Sequence, residues 1–313
     1  MSGARAPHDH SSHDRLHPPA PDHPWWSETS WYAFCVPERR LAGSVYPLFR
    51  RNLGTCSLAV HVWDDSAHEP WRVRYGRCLW HLPFPGGDLD ACALGGLELT
   101  CEAPLSRYRV RYRDEPLIAL DLVYQGLFPP HEVGIGGGHG HLDQPCRVSG
   151  KLLLHGEEIG VDGFDMRDRS WHVRDDLRTT RAGYSYGIAS ADAAFLAMSV
   201  GGDGDAKVVA GFLWQDGVKS DLASGTRRVI ERHPLHGFPT RVALELADRD
   251  GRKLSAEGRC TSRLANQATP GMFAWLSLTD WQSQQGEAFG EDQDIWSPDL
   301  LAALTRGAHS VRE

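Results

Sequence analysis

The stretch "DGFDMRDRSWHVRD", residues 162–175, combines carboxylates, arginines and a tryptophan in a pattern that acid–base chemistry could use. An extended strand would place Phe164, Met166, Asp168 and Ser170 on one face, and Asp165, Arg167, Arg169 and Trp171 on the other. Asp168 then follows two apolar side chains, and loss of hydration penalises its ionised form. A carboxyl that is kept protonated in this way can donate a proton near neutral pH.

The neighbouring arginines leave a second interpretation open. If their charge outweighs desolvation, Asp168 is permanently ionised and belongs to a salt-bridge cluster that closes one end of a barrel. In the catalytic interpretation, Asp168 is the acid and Trp171 is an aromatic wall that stabilises a cation. Arg167 and Arg169 would orient or polarise a polar end of the substrate, and Arg174 would belong to the supporting ion-pair network.

Further residues are candidates for substrate binding. Four aromatic side chains could line a pocket, although core packing is the commoner role for each of them: Tyr184, Tyr186, Trp214 and Trp275. His139 and His141 lie in the glycine-rich stretch "GGGHGHLDQ", which could cap a cavity and admit substrate. They could also bind a metal together with Asp143, but a His-x-His-x-Asp string without a further ligand is weak evidence. We therefore predict no metal and no cofactor.

Composition excludes several classes of protein. A net charge of −8 over 313 residues argues against a nucleic-acid-binding protein, which must neutralise phosphates with Lys and Arg. No apolar window is long enough for a membrane-spanning helix, and no signal peptide is recognisable. The seven cysteines are scattered without a CxxC pair, which is typical of reduced thiols in a cytoplasmic protein. The sequence is also compatible with a homodimer.

The hydrophobic pattern predicts an all-β protein. Short runs such as "YRVRYRD" and "LIALDLVYQG" alternate apolar and charged residues, as half-buried antiparallel strands do. Turns are predicted at His155-Gly156, Asp162-Gly163, Asp216-Gly217 and Asp250-Gly251. The one helical pattern is "SPDLLAALTR", residues 297–306.

The strands are too numerous for one small sheet, and two consecutive barrels or sandwiches would protect their edges. We predict a disordered His- and Pro-rich tail over residues 1–23. One β-domain would follow over residues 24–180 and a second over residues 181–313. A single continuous sandwich remains an alternative.

Two adjacent stretches, "HLDQPCRVSG" and "VDGFDMRDRSWHVRD", resemble the family of the carotenoid 1,2-hydratases (hydroxyneurosporene synthases) and the related AttH-like proteins. The resemblance is strongest over residues 139–175. It implies two lipocalin-like β-barrels in tandem, with site roles for Asp168 and Trp171 at the domain junction. The hydratases have a His where this chain has Arg169, and a guanidinium cannot act as an acid or base near neutral pH. The string Arg-Asp-x-Ser-Trp is closer to an uncharacterised branch of that family.

These observations favour a cofactor-independent acid–base enzyme that acts on a C=C bond of an apolar, isoprenoid-like (terpenoid) or polycyclic substrate. Hydration, dehydration, isomerisation and cyclisation all begin with proton transfer and remain open. The first alternative is a carrier that binds a lipophilic small molecule without converting it. A structural protein without a ligand is the second.

Overall fold

Antiparallel strands account for almost all of the secondary structure in this computed structural model, and they form two separate sheets. The structure describes residues 10–20, 23–136, 138–174, 181–201, 204–269 and 271–303. Nineteen strands and three short 3₁₀ turns lie within these ranges, followed by a helix over residues 298–303. The predicted all-β class with two barrel-like sheets and a short C-terminal helix is confirmed.

The first sheet contains eleven strands in the spatial order β4-β3-β2-β1-β11-β10-β8-β7-β6-β5, with β9 paired to β10. These are β1 (Trp26–Val36), β2 (Leu41–Arg50), β3 (Thr55–Trp63), β4 (Tyr75–Pro83), β5 (Ala91–Leu94), β6 (Leu97–Ala103), β7 (Arg107–Asp114), β8 (Ile118–Gly126), β9 (His131–Gly136), β10 (His139–Leu154) and β11 (Glu157–Val173). Short 3₁₀ turns over Pro37–Arg39 and Arg51–Leu53 connect β1 to β2 and β2 to β3.

The first sheet curls around its own hydrophobic core. The ring of Tyr32 in β1 lies 6.5 Å from that of Tyr108 in β7 and 5.3 Å from that of Tyr124 in β8. Alternation along β1 divides its side chains between two environments. Tyr32 and Phe34 point into this core, whereas Trp31 and Ala33 point towards the second sheet.

The second sheet is a closed barrel of eight strands in sequence order. Its strands are β12 (Arg181–Ser190), β13 (Ala193–Val200), β14 (Asp205–Gln215), β15 (Val218–Arg232), β16 (Pro239–Asp248), β17 (Lys253–Thr269), β18 (Met272–Ser283) and β19 (Gly286–Trp296). Closure pairs β12 with β19, so that every strand has two neighbours. Its core includes Phe195 and Trp281, whose rings are 5.3 Å apart.

Three of the four predicted turns are confirmed. Both His155-Gly156 and Asp216-Gly217 have positive φ at each residue, the geometry of a tight two-residue hairpin turn. Asp250-Gly251 lies in the loop between β16 and β17. The turn at Asp162-Gly163 is wrong, because these residues lie within β11 and pair with Ser149 and Val148 of β10. Pairing with a long neighbouring strand overrides the local turn preference of this dipeptide.

The two sheets pack against each other through apolar side chains. Trp31 and Trp63 of the first sheet form one cluster with Leu276 of the barrel, and Met166 joins Tyr186 in another. The last strand of the first sheet ends at Val173 and the barrel begins at Arg181, on either side of residues 175–180, which are outside the described residues. No helix among the described residues is long and apolar enough to span a membrane.

Part of the segment that composition predicts as a disordered tail packs on the first sheet. Residues 1–9 and 21–22 lie outside the described residues, but a 3₁₀ turn spans His10–Asp14. The buried carboxylate of Asp14 accepts hydrogen bonds from Arg167 Nη1 at 3.1 Å and from the hydroxyl of Tyr108. Two backbone carbonyls of the segment, at His13 and Arg15, accept hydrogen bonds from Arg169. Composition did not reveal these contacts because buried cations far along the chain provide them.

The ion pair of Asp14 gives a first prediction. Asp14→Ala should lower the free energy of unfolding by about 3 kcal/mol, because it leaves the guanidinium of Arg167 buried without its counter-charge. Chemical denaturation measures the change. Asp162→Ala is the control, since Asp162 pairs with Arg147 at the surface and should cost about 0.5 kcal/mol. Equal effects of the two variants would show that the segment does not stabilise the sheet.

Candidate functional site

A cavity of about 910 Å³ lies between the outer face of the first sheet and the barrel. The first sheet contributes side chains from β1, β2, β10 and β11, and the barrel contributes from β12, β19 and the β17–β18 connection. Asp168, His141 and Tyr184 all line this junction cavity. Ionisable groups from both sheets therefore meet in one space.

Asp168 lies on β11, which is the middle strand of the three (β1, β11 and β10) that form the floor of the junction cavity. It pairs with Trp31 of β1 on one side and with Asp143 of β10 on the other. Its half-buried carboxyl makes no hydrogen bond to any other described residue. Burial raises the pKa of Asp168 to about 6; His141 opposes this shift and Asp143 adds to it. Part of the population is therefore protonated near neutral pH, as a general acid requires.

Asp143 organises the groups beside Asp168. Its buried Oδ1 accepts a hydrogen bond of 2.6 Å from the hydroxyl of Tyr184 and one of 2.8 Å from Nε2 of His141. Burial alone would lower the pKa of His141, but the charge of Asp143 and the hydrogen bond to it outweigh burial, so this pKa is raised. Asp143 thus orients the imidazole of His141 and favours its protonated form.

Two more carboxyls are buried where β11 meets the barrel, and neither is among the described residues that line the junction cavity. Asp165 accepts a hydrogen bond of 2.6 Å from the hydroxyl of Tyr186, and Glu291 accepts one of 2.8 Å from the side-chain amide of Gln293. Burial raises the pKa of Asp165 to about 6 and that of Glu291 to about 8, and the charges of Asp165 and Asp168 contribute to the shift of Glu291. Like charges this close disfavour each other's ionisation, so the cluster retains protons at neutral pH.

Arg174 brings a cation to the junction cavity. Its Nη2 donates to Thr29 Oγ1 at 3.0 Å and to Ser170 Oγ, and its Nη1 donates to the hydroxyl of Tyr46 at 3.3 Å. Its Nε donates to Nε2 of His172 at 3.2 Å. A guanidinium held in this way can bind a polar or anionic oxygen of a ligand.

Arg167 and Arg169 do not reach the junction cavity, contrary to the sequence-based prediction. Both side chains are fully buried on the opposite face of β11. Arg167 pairs with Asp14 and its guanidinium lies 3.9 Å from the ring centre of Tyr108, while Arg169 pairs with Glu28. The reason is strand alternation, which separates odd from even residues. These arginines close the interior of the first sheet.

Trp171 shares that face and is likewise absent from the wall of the junction cavity. Its ring is buried and stacks on the imidazole of His17, with ring centres 3.8 Å apart and planes inclined by 7°. A wall that stabilises a cation beside Asp168 therefore requires other aromatic groups. Tyr184, Tyr46 and Trp25 line the junction cavity.

The three other aromatic residues that were predicted to bind substrate pack against other residues of the protein. Tyr186 is buried against Asp165, and Trp214 stacks on Phe128 and donates its indole N–H to a backbone carbonyl. Trp275 packs edge-on against Phe238. None of these three is among the residues that line the junction cavity.

His139 lines a smaller cavity of about 450 Å³ near the N-terminal segment, away from His141. Both histidines belong to β10 and not to a loop. No cluster of three or more His, Cys, Asp or Glu side chains suited to a metal occurs in the part of the chain that the structure describes.

Sequence reasoning missed Gln293 as a residue of this site, and it considered Asp143 only as a metal ligand and Arg174 only as part of an ion-pair network. The string His-x-His-x-Asp carried a usable signal, because alternation in a strand places His141 and Asp143 on one face. Their approach to Asp168 depends on the register between β10 and β11. Local sequence patterns do not encode that register. They also do not predict that β19 of the barrel lies beside β11.

The raised pKa of Asp168 predicts a pH-dependent stability difference. A carboxyl whose pKa rises from 3.8 to about 6 on folding favours the folded state at low pH, and this contribution is lost as the pH rises through 6. Asp168→Asn removes the effect. Relative to the wild type, the variant should gain about 1–2 kcal/mol in unfolding free energy between pH 4 and pH 7.

Denaturant unfolding at a series of pH values measures this gain. Asp162→Asn, at an exposed position of the same strand, is the matched control and reports effects unrelated to burial. A constant difference between Asp168→Asn and the wild type across this range would contradict the assignment of Asp168 as a desolvated carboxyl.

The fold is similar to several solved structures. One is an AttH-like protein from Nitrosomonas europaea, with 15% sequence identity and a TM-score of 0.59 over 86% of this chain and 91% of that one. Kievitone hydratase from Nectria haematococca has 9% identity and a TM-score of 0.58 over 87% and 89% of the two chains. CghA, solved with Sch210972, has 13% identity and a TM-score of 0.57 over 90% and 93%. These likenesses establish the fold.

No curated protein matches the sequence. A family model does match it, over residues 10–290, which include both sheets. The chain therefore belongs to the family described as a domain of unknown function, DUF7064.

Proposed function

We propose that this protein is an enzyme that uses its own side chains as acid and base to transform a C=C bond of an apolar substrate. The observation that supports this most directly is the carboxyl of Asp168. It lines the junction cavity, makes no hydrogen bond to another described residue and has a pKa raised to about 6 by burial. A structural carboxylate is normally hydrogen-bonded, whereas a proton donor has to face its substrate.

The reaction begins when protonated Asp168 donates its proton to one carbon of the double bond. The alkene electrons form the new C–H bond, the other carbon becomes a cation, and Asp168 becomes a carboxylate. In hydration, the oxygen of a water molecule bonds to the cation and the excess proton returns to Asp168. The net change is addition of water to the alkene, and the acid is regenerated.

Several groups of the junction cavity fit the later stages of this reaction. The ring faces of Tyr184 and Tyr46 can stabilise the cation through their quadrupoles. Asp143 holds His141 by a hydrogen bond of 2.8 Å, where the imidazole can orient water. Capture of the cation by a second alkene would give cyclisation, and loss of a different proton would give isomerisation. Kievitone hydratase and CghA share the fold, and hydration is the reaction that we favour.

A first experiment tests the role of Asp168. In water labelled with heavy oxygen, the wild type should convert a member of a panel of terpenoid and steroid alkenes into a labelled alcohol that mass spectrometry detects. Asp168→Asn should lower kcat by at least about 100-fold, because it removes the general acid, and should retain substrate binding. For the wild type, kcat/KM should fall as the pH rises above about 6.

Asp162→Asn is again the control and should keep wild-type turnover. Loss of label with retained, Asp168-dependent conversion would indicate isomerisation or cyclisation. If both proteins bind the same lipid equally and neither converts any alkene, the protein is a carrier and the proposal fails.

A second prediction concerns Arg174. If its guanidinium binds a polar oxygen of the substrate, Arg174→Gln should raise KM by about 10-fold or more and change kcat little, since a hydrogen bond to a charged group contributes about 1.5–3 kcal/mol. Steady-state kinetics on the substrate found in the first experiment give both parameters. Arg147→Gln, at an exposed ion pair on β10, is the matched control. An unchanged KM would remove Arg174 from the binding site.

A further inference from the structure

A second cavity, of about 630 Å³, lies beside the junction cavity on the same face of the first sheet. Side chains of β2, β3 and β4 form its floor, among them Leu48, Ser57 and Trp80. Asn266 and Thr269 of β17 lie on its barrel side. Nothing in the acid–base chemistry at Asp168 uses this second cavity.

The two cavities adjoin along the sheet. Trp25 and Thr269 line both of them. A single cross-strand row also connects them, in which each residue is the register partner of the next: His141, Ser170, Thr29, Leu48 and Ser57. The first three residues line the junction cavity and the last two line the second cavity. Four strand spacings of about 4.8 Å give a length of roughly 19 Å.

The second cavity suits a largely apolar ligand. Arg50 contributes a guanidinium to its lining, and no carboxylate occurs among the described residues that line it. His61 in its floor is buried, and burial lowers its pKa to about 4, so that the imidazole is neutral at ordinary pH. Three large apolar side chains with 39–50% exposure line it, namely Trp25, Leu53 and Trp80. Such clustered exposure is typical of ligand-binding surfaces.

We infer that the second cavity binds the distal apolar chain of the substrate whose double bond and polar end occupy the junction cavity. The ligand is then an elongated molecule, and a compact polycyclic one would leave the second cavity unfilled. The shared lining residues Trp25 and Thr269 support this occupant. A chain that leaves Asp168 along the sheet passes over Thr29, whose register partner is Leu48 of the second cavity. The inference rests on the proposed function for the location of the reacting end.

A photoreactive probe can locate the chain. The probe is a linear sixteen-carbon primary alcohol with a diazirine at its terminal carbon, irradiated with the full-length protein and mapped by mass spectrometry. The expected product carries the label on peptides of β3 and β4, at positions such as Ser57, Cys78 and Trp80. An eight-carbon homologue is too short to reach them from the junction cavity and should not label them.

A filled second cavity should abolish this labelling. Ser57→Phe places a ring in the floor of the cavity and should reduce labelling of β3 and β4 at least tenfold. It should also weaken binding of the sixteen-carbon alcohol, by about fourfold for each methylene that loses contact. Ser149→Phe is the matched control, because Ser149 is a half-buried serine of the same sheet that lines neither cavity. It should behave as the wild type.

The outcomes separate this inference from the proposed function. Label confined to the junction cavity, equal losses in the two Phe variants, or no label at all would overturn the second cavity as a chain-binding site. Asp168→Asn should label as the wild type does, because the chain site does not depend on proton transfer. Turnover without β3–β4 labelling would refute the chain site alone, and β3–β4 labelling without turnover would refute the enzyme alone.

Discussion

The burial of two guanidinium groups on one face of β11 is the constraint on which the site depends. Arg167 and Arg169 lie inside the first sheet, where a cation is tolerated only with carboxylate partners and further hydrogen bonds. Asp14 and Glu28 supply the carboxylates, and the N-terminal segment supplies carbonyls. A shift of β11 by one residue would expose both arginines to the junction and bury Asp168 in the core. The ion pairs therefore fix the face on which Asp168 lies.

The same register determines which ionisable groups meet at the junction cavity. With the arginines on the inner face, the outer face carries Asp168 beside Asp143, and the barrel adds Glu291 and tyrosine hydroxyls. Packing of the two sheets removes much of the water that would hydrate these carboxyls. The pKa values of Asp168 and Glu291 rise because burial makes their charge costly, whereas Asp143 accepts a hydrogen bond from the hydroxyl of Tyr184. The raised pKa of Asp168 is thus a consequence of how the two sheets meet.

The sequence patterns predicted those features of the fold and the site that residues close together in the chain determine. Alternation identified the strands, the two-residue turns at His155 and Asp216, and Asp168 as a carboxyl on a different face from the arginines. It did not identify Asp143 as the organiser of His141, because that role comes from pairing with β11 and from a barrel tyrosine. The catalytic interpretation and the family resemblance gave Trp171 a role beside Asp168, although alternation places the two side chains on different faces. Composition suggested disorder around Asp14, since short polar segments gain order only from partners elsewhere in the chain.

Position 169 illustrates how the structure changes the interpretation of a sequence difference. The resemblance to the hydratases implied that a His next to the acid belongs to the site, so that Arg169 argued against hydration. In this chain the side chain of residue 169 points away from the junction cavity and pairs with Glu28. The residue at position 169 therefore affects how the interior of the first sheet is closed, and it does not determine which groups line the junction cavity. The imidazole beside Asp168 comes from His141 on the neighbouring strand, so the acid–base chemistry that we propose for Asp168 does not require a His at position 169.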